Sequence, residues 1–221
     1  MRDNNDIRQD VMDELRWDPR IVDAGVSVDV SNGIVTLSGS VDSYAQSREA
    51  AEDAERVWGV SGVVNHLDVV VPGFHARSDA DIAAAAVDAL KWNSEVPQDR
   101  ITLRVANGVV TLDGTVDWYY QRTAAENTVR YLFGVRDVVD RIRIEPRARV
   151  SADDIKNRII AALERNAEAD AERIVVETGR DGSVTLRGVV HSCAERSHAE
   201  RAAWAAPGVR AVDDQVVVDF E

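Results

Sequence analysis

The sequence predicts an α+β chain of three tandem αββαβ modules, each a three-stranded mixed sheet packed against two helices. Three observations carry this. A nonapeptide, GIVTLSGSV at Gly33–Val41, returns as GVVTLDGTV at Gly108–Val116 and as GSVTLRGVV at Gly182–Val190. Upstream of each copy, apolar residues recur four apart; just before and well after it they alternate with polar ones. Self-similarity at a period near 75 residues divides the 221-residue chain into three units rather than one large domain. The predicted modules cover residues 3–71, 78–145 and 151–220.

Each element follows in order. Ile7, Val11 and Leu15, then Ile82, Ala86 and Leu90, then Ile155, Ile159 and Leu163 draw one apolar stripe down a first helix. Ser78-x-x-Asp81 and Ser151-x-x-Asp154 read as its capping boxes, with Asp3-x-x-Asp6 in the same place. Val26, Val28, Val30 and Ile101, Leu103, Val105 have the period of a half-buried strand. Asn32-Gly33 and Asn107-Gly108 then specify a tight hairpin, because both positions accept positive φ; Gly179–Gly182 is a longer version. The nonapeptide is the second strand. A second apolar helix follows, with Asp42, Asp117 and His191 at its expected N-caps. Gly59, Gly134 and Gly208 stand just after it as left-handed caps. Leu67/Val69, Ile142/Ile144 and Val216/Val218 form the last strand, which Asn65, Asp140 and Asp214 are expected to begin. The second glycine of each nonapeptide, Gly39, Gly114 or Gly188, faces the core. It predicts a small-on-small contact with Ala50, Ala125 or Ala199 of the second helix, with a strand bulge as the alternative. All nine glycines therefore have structural readings, and none calls for a phosphate or nucleotide.

This combination resembles the BON domain (bacterial OsmY and nodulation): G-x-V-T-L-x-G-x-V in an αββαβ frame, then Gly-Val-x-x-Val and Asn/Asp some twenty residues on. The likeness spans nearly the whole chain. It implies a non-catalytic role, an association with osmotic or envelope stress, and phospholipid interaction as a proposed property of the domain. Exported members carry a signal peptide, whereas this chain opens MRDNNDIRQDVMDELRW, with acidic residues where an apolar leader segment belongs. No apolar run approaches the roughly 18 residues of a membrane span. With a single cysteine in a reducing-compartment pattern, the expected location is the cytoplasm. The net charge of −13 excludes nucleic acid as an expected partner, since a phosphate backbone needs clustered Lys and Arg.

Catalytic and metal readings find little to stand on. His191-Ser-Cys193-x4-His198 suggests zinc or a Cys/His nucleophile, but Cys193 falls on the apolar position of Tyr44 and Tyr119, and His198 on an expected exposed one. There is no P-loop, no Rossmann fingerprint and no G-x-S-x-G. The expectation is no enzyme, no cofactor and no metal. Two departures from the repeat mark a candidate interaction surface instead. Trp118, Tyr120 and Tyr131 replace Ser43, Ala45 and Arg56 on the second helix of the middle unit, to pack on a neighbouring unit or to meet a partner. Arg141, Arg143, Arg147 and Arg149 form the only basic concentration on an acidic chain, where an anionic phospholipid headgroup or acidic partner would dock. Trp17 and Trp92, each closing a first helix, are expected as core lids. The predicted partners are another protein or further copies of this chain, with anionic phospholipid second.

Overall fold

A computed structural model describes residues 2–21, 25–147, 150–165 and 173–219. Arg149 of the basic run and Phe220 at the end of the third predicted module lie outside them. The first unit runs α1 (Asn4–Trp17), β1 (Val26–Ser31), β2 (Ile34–Val41), α2 (Tyr44–Arg56), β3 (Gly62–Val69). The second runs α3 (Asp79–Trp92), β4 (Ile101–Ala106), β5 (Val109–Val116), α4 (Tyr119–Arg130), β6 (Asp137–Ile144). The third runs α5 (Ala152–Arg165), β7 (Ile174–Thr178), β8 (Ser183–Val190), α6 (Cys193–Ala205), β9 (Ala211–Val218). In every unit the nonapeptide strand is central, antiparallel to the strand before it and parallel to the last one. That is the mixed three-stranded sheet of the sequence reading.

The helical stripes become the cores. Ile7, Val11 and Leu15 are buried with Val35, Leu37 and Ala50, and the same positions repeat in the other two clusters. Ser78 Oγ accepts from Asp81 N at 3.2 Å while Ser78 N donates to Asp81 Oδ2 at 3.3 Å, a complete capping box. Asn32 and Asn107 sit at φ 52° and 55°, followed by Gly33 and Gly108 at 76° and 78°, as a two-residue hairpin turn requires.

Three local expectations are corrected. Gly39, Gly114 and Gly188 do not make room for a helix; each closes the antiparallel pairing of its hairpin, and the parallel register with the last strand runs through it without a bulge. Their φ values are 114°, 149° and 146°, and an added Cβ would strike the carbonyl oxygen of Gly25, Arg100 or Arg173 at the start of the neighbouring strand. The glycine exists for the hairpin partner. Second, Asp42, Asp117 and His191 precede the caps. Ser43 and Ser192 accept from Gln46 N and Glu195 N, while Gln46, Gln121 and Glu195 reach back to the backbone N–H of Asp42, Asp117 and His191. In the first and third units a hydroxyl one residue later does the capping; in the second Trp118 stands there and Gln121 alone reaches back, so in each unit the preceding side chain is released for other contacts. Third, Asn65, Asp140 and Asp214 lie inside the last strand, not at its start. Asn65 bonds Ser47 Oγ at 3.0 Å, Asp140 pairs with Arg122 at 2.6 Å, and Asp214 with Arg196 at 2.7 Å. One repeat position thus ties strand to second helix three times, with two different chemistries.

Candidate interaction surface

Several departures from the repeat gather where unit meets unit. Tyr44, Tyr119 and Cys193 share one repeat position at the first turn of the second helix, and each reaches the next unit round. Tyr44 packs against the core of the second unit. Tyr119 stacks on Trp204 of the third, ring centroids 4.9 Å apart and nearly parallel. Cys193 joins the core of the first unit and donates from Sγ to Val60 O at 2.9 Å. Every unit touches both others through equivalent positions, so the three close into a ring with approximate cyclic symmetry.

The joint between the first and second units is ionic. Arg130, only 7% exposed, donates to Glu49 Oε1 at 3.0 Å, and Tyr131 Oη donates to the same oxygen at 3.0 Å. The other oxygen of Glu49 takes Arg20 at 2.9 Å, and Glu52 adds a contact to Arg130 at 3.4 Å. The intervening chain is also anchored, with His75 stacked on Phe133 at 4.3 Å and Arg77 over the same ring at 5.7 Å. Sequence reasoning missed Glu49, Arg130 and Trp204. Their signal was present as departures: Glu49 stands where the other units have Ala124 and His198, and Arg130 and Trp204 occupy one position.

The predicted surface residues divide. Tyr131 belongs to the ionic joint, at the C-terminal end of α4. Trp118 and Tyr120 are exposed at its opposite end, a helix length of about 18 Å away. Arg141 and Arg143 are exposed on β6, on the sheet face away from the helices. Part of their charge is matched: Arg147 pairs with Asp117 at 3.0 Å, Arg143 approaches Glu145 at 3.9 Å, and Arg141 lies in register beside Asp113. Asp117 also takes Arg100 at 2.7 Å, which holds its carboxyl below the usual range. Trp17 and Trp92 are 85% and 88% exposed, so the core-lid expectation is wrong. Leu15 and Leu90 already fill the core at the end of the stripe, two residues earlier on the helix.

His191, Cys193 and His198 make no reactive centre. Burial pushes the Cys193 thiol up to about 11, away from thiolate, and its proton is committed to Val60 O. His191 sits against Arg173 and the carbonyl of Asp219. His198 is half-buried rather than exposed. Among the described residues no cluster of potential metal ligands is present, and no helix is long and apolar enough to cross a membrane.

Three repeated αββαβ units of this geometry define a tandem-domain protein, and the chain belongs to the BON domain family, which matches residues 3–71, 78–146 and 151–219. Over 119 residues it is 34% identical to the osmotically-inducible protein Y of Escherichia coli (strain K12), covering 51% of this chain and 58% of that protein. It therefore spans little more than half of that relative. Among solved structures it overlaps CdsD, a structural protein of the type III secretion system of Chlamydia trachomatis, at 14% identity and a TM-score of 0.27, covering 97% of this chain and 92% of that one. The C-terminal domain of CdsD overlaps at 14% identity and a TM-score of 0.28, over 99% of this chain and 100% of that domain.

Proposed function

We propose that this chain is a non-catalytic scaffold of the osmotic stress response, acting through protein–protein contact or self-association. One observation carries the reading. Glu49, Arg130 and Trp204, which break the repeat, join the units, while Trp17, Trp92 and the repeat-breaking Tyr120 stay in solvent on the assembled ring. Large exposed aromatics gain most when a second surface covers them. The stress link is supported by the resemblance to the osmotically-inducible relative. Sedimentation equilibrium tests the reading with the intact protein and with Trp17→Ser/Trp92→Ser. Concentration-dependent association weakened in the variant supports it; a strict monomer that no partner shifts overturns it. The same reading places the protein in the cytoplasm, consistent with its single buried thiol, and cell fractionation decides that.

A second reading, a peripheral module on anionic phospholipid, is favoured by the exposure of Arg141 and Arg143 on the open face of β6. Against it stand the net charge of −13 and the carboxylates beside the arginines. Flotation with anionic and neutral vesicles decides it. Salt-sensitive binding lost in Arg141→Glu/Arg143→Glu supports the lipid surface, and no flotation under any condition removes it.

A further inference from the structure

The second unit ties the end of its first helix to its second helix by a neutral hydrogen bond, Asn93 Nδ2 donating to Thr128 Oγ1 at 2.8 Å. In the first unit the same two repeat positions hold Asp18 and Asp53. Asp18 follows the last turn of α1, accepts from Arg20 N at 2.8 Å and from the Arg20 guanidinium at 2.9 Å, and so keeps its charge. Asp53 is 0% exposed. One of its oxygens takes Arg56, and the other, Oδ2, is buried with no donor among the described groups. The two carboxyls take the places of Asn93 and Thr128, whose side chains meet at 2.8 Å in the second unit. A carboxyl–carboxylate contact with no donor between the two is complete only when one of them carries a proton. Charge assigns that proton: Arg20 grips Asp18, and Asp53 is the deeper group.

The charges around Asp53 come from every element packed there. Its own helix supplies Arg56, Glu49 and Glu52; α1 supplies Glu14, which meets Arg56 at 3.5 Å, and then Asp18. The turn after α1 supplies Arg20, which also grips Glu49, and through Glu49 the network reaches Arg130 and the Tyr131 phenol of α4 in the second unit. We propose that Asp53 is a proton switch on the joint between the first and second units, donating to Asp18 when protonated and repelling it when ionised. Ionisation sets two carboxylates against each other and competes for Arg20. That arginine also holds Glu49, the residue that Arg130 of the second unit grips.

Burial pushes the Asp53 carboxyl up to about 6, and the Arg20 hydrogen bond draws Asp18 down to about 2. The folded state therefore holds the Asp53 proton more tightly than the unfolded one. Its contribution is full below the ordinary value of 3.8, and is lost as pH rises through about 6. Acid firms the joint and neutral pH loosens it.

The test follows the carboxyl carbon of Asp53 by NMR against pH in the intact protein, with melting temperature and amide exchange at α1 and α2 measured at about pH 5 and about pH 7.5. The expected result is a midpoint near 6, with weaker amide protection, taken relative to the intrinsic exchange rate at each pH, and a lower melting temperature at the higher pH. Asp53→Asn, whose amide donates to Asp18 at any pH, should abolish that difference. Asp18→Asn, which removes the charged acceptor, should bring the Asp53 midpoint down. An Asp53 midpoint in the ordinary carboxylate range, or an Asp53→Asn protein with an unchanged pH profile, overturns the proposal. Should Asp53→Asn fail to fold, the wild-type and Asp18→Asn titrations decide it alone.

Discussion

At the scale of single residues, burial and backbone geometry decide what the chemistry of a side chain is worth. Cys193 is the only thiol, yet its Sγ–H is bonded to Val60 O and its pKa lies at about 11. Native protein at about pH 8 should therefore resist iodoacetamide, and react at the ordinary rate of a free thiol only once denatured; alkylation followed by mass spectrometry measures this. Gly114 makes the opposite point, since here the missing side chain is the function. Its φ of 149° and the Arg100 carbonyl facing the absent Cβ leave no room for a methyl group. Gly114→Ala should cost roughly 3 kcal/mol or more in denaturant unfolding, against about 1 kcal/mol or less for alanine at an unstrained glycine. If the glycine served to admit the second helix, a shortened residue at Ala125 would rescue the variant. Because the collision is with the adjacent strand, Ala125→Gly should make matters worse.

Elements repeat more faithfully than the contacts that hold them. The tie between the second helix and the last strand is Ser47–Asn65, Arg122–Asp140 and Arg196–Asp214 in turn. In each, the strand residue also accepts from the backbone N–H two residues on, at Leu67, Ile142 or Val216. The neutral and ionic versions are thus interchangeable solutions at one position. Asp140→Ala should lose about 2 kcal/mol, because a half-buried guanidinium is left without its carboxylate. Arg122→Ser/Asp140→Asn, which writes the first unit's pair into the second, should recover most of it; a double-mutant cycle by chemical denaturation checks both. The same contrast explains what the sequence made legible. The stripe Ile7-Val11-Leu15, the Asn32-Gly33 turn and the alternation of β3 are local periodicities, and each became the element they implied. The role of Gly39 and the exposure of Trp17 depend on what lies across a gap in space, and periodicity carries no information about that. The candidate surface suffered most for this reason. Tyr131 and Trp118 are near in sequence, yet they lie at opposite ends of one helix, with one of them drawn into a joint with Glu49.

For the whole molecule the question is whether closure of the ring adds anything to three domains in a row. In a row, the first unit would be held to the rest through the second unit alone. Here it is held twice, by Arg130 on Glu49 and by Cys193 against Val60. Arg130→Ala leaves Glu49, 6% exposed, with Arg20 and Tyr131 as its remaining partners among the described residues, so it should cost about 3 kcal/mol. The two arrangements differ in the shape of the transition that follows. A row would release the first unit at once and melt in two steps. The closed ring keeps that unit tethered to the third, so Arg130→Ala should melt at lower temperature but still in a single cooperative step. Cys193→Asp supplies the complementary cut. It sets a carboxylate beside Glu55 of the first unit while placing a favourable negative charge at the start of α6, so the joint is damaged and the third unit's own helix is not. Each single variant should remain one-step in calorimetry, and the double variant should split, with the first unit melting separately. A split already present in Arg130→Ala alone would mean that the contact at Val60 contributes nothing and the ring is a row. One step in the double variant would place the coupling elsewhere, in Tyr44 against the second core and Val218 against the first.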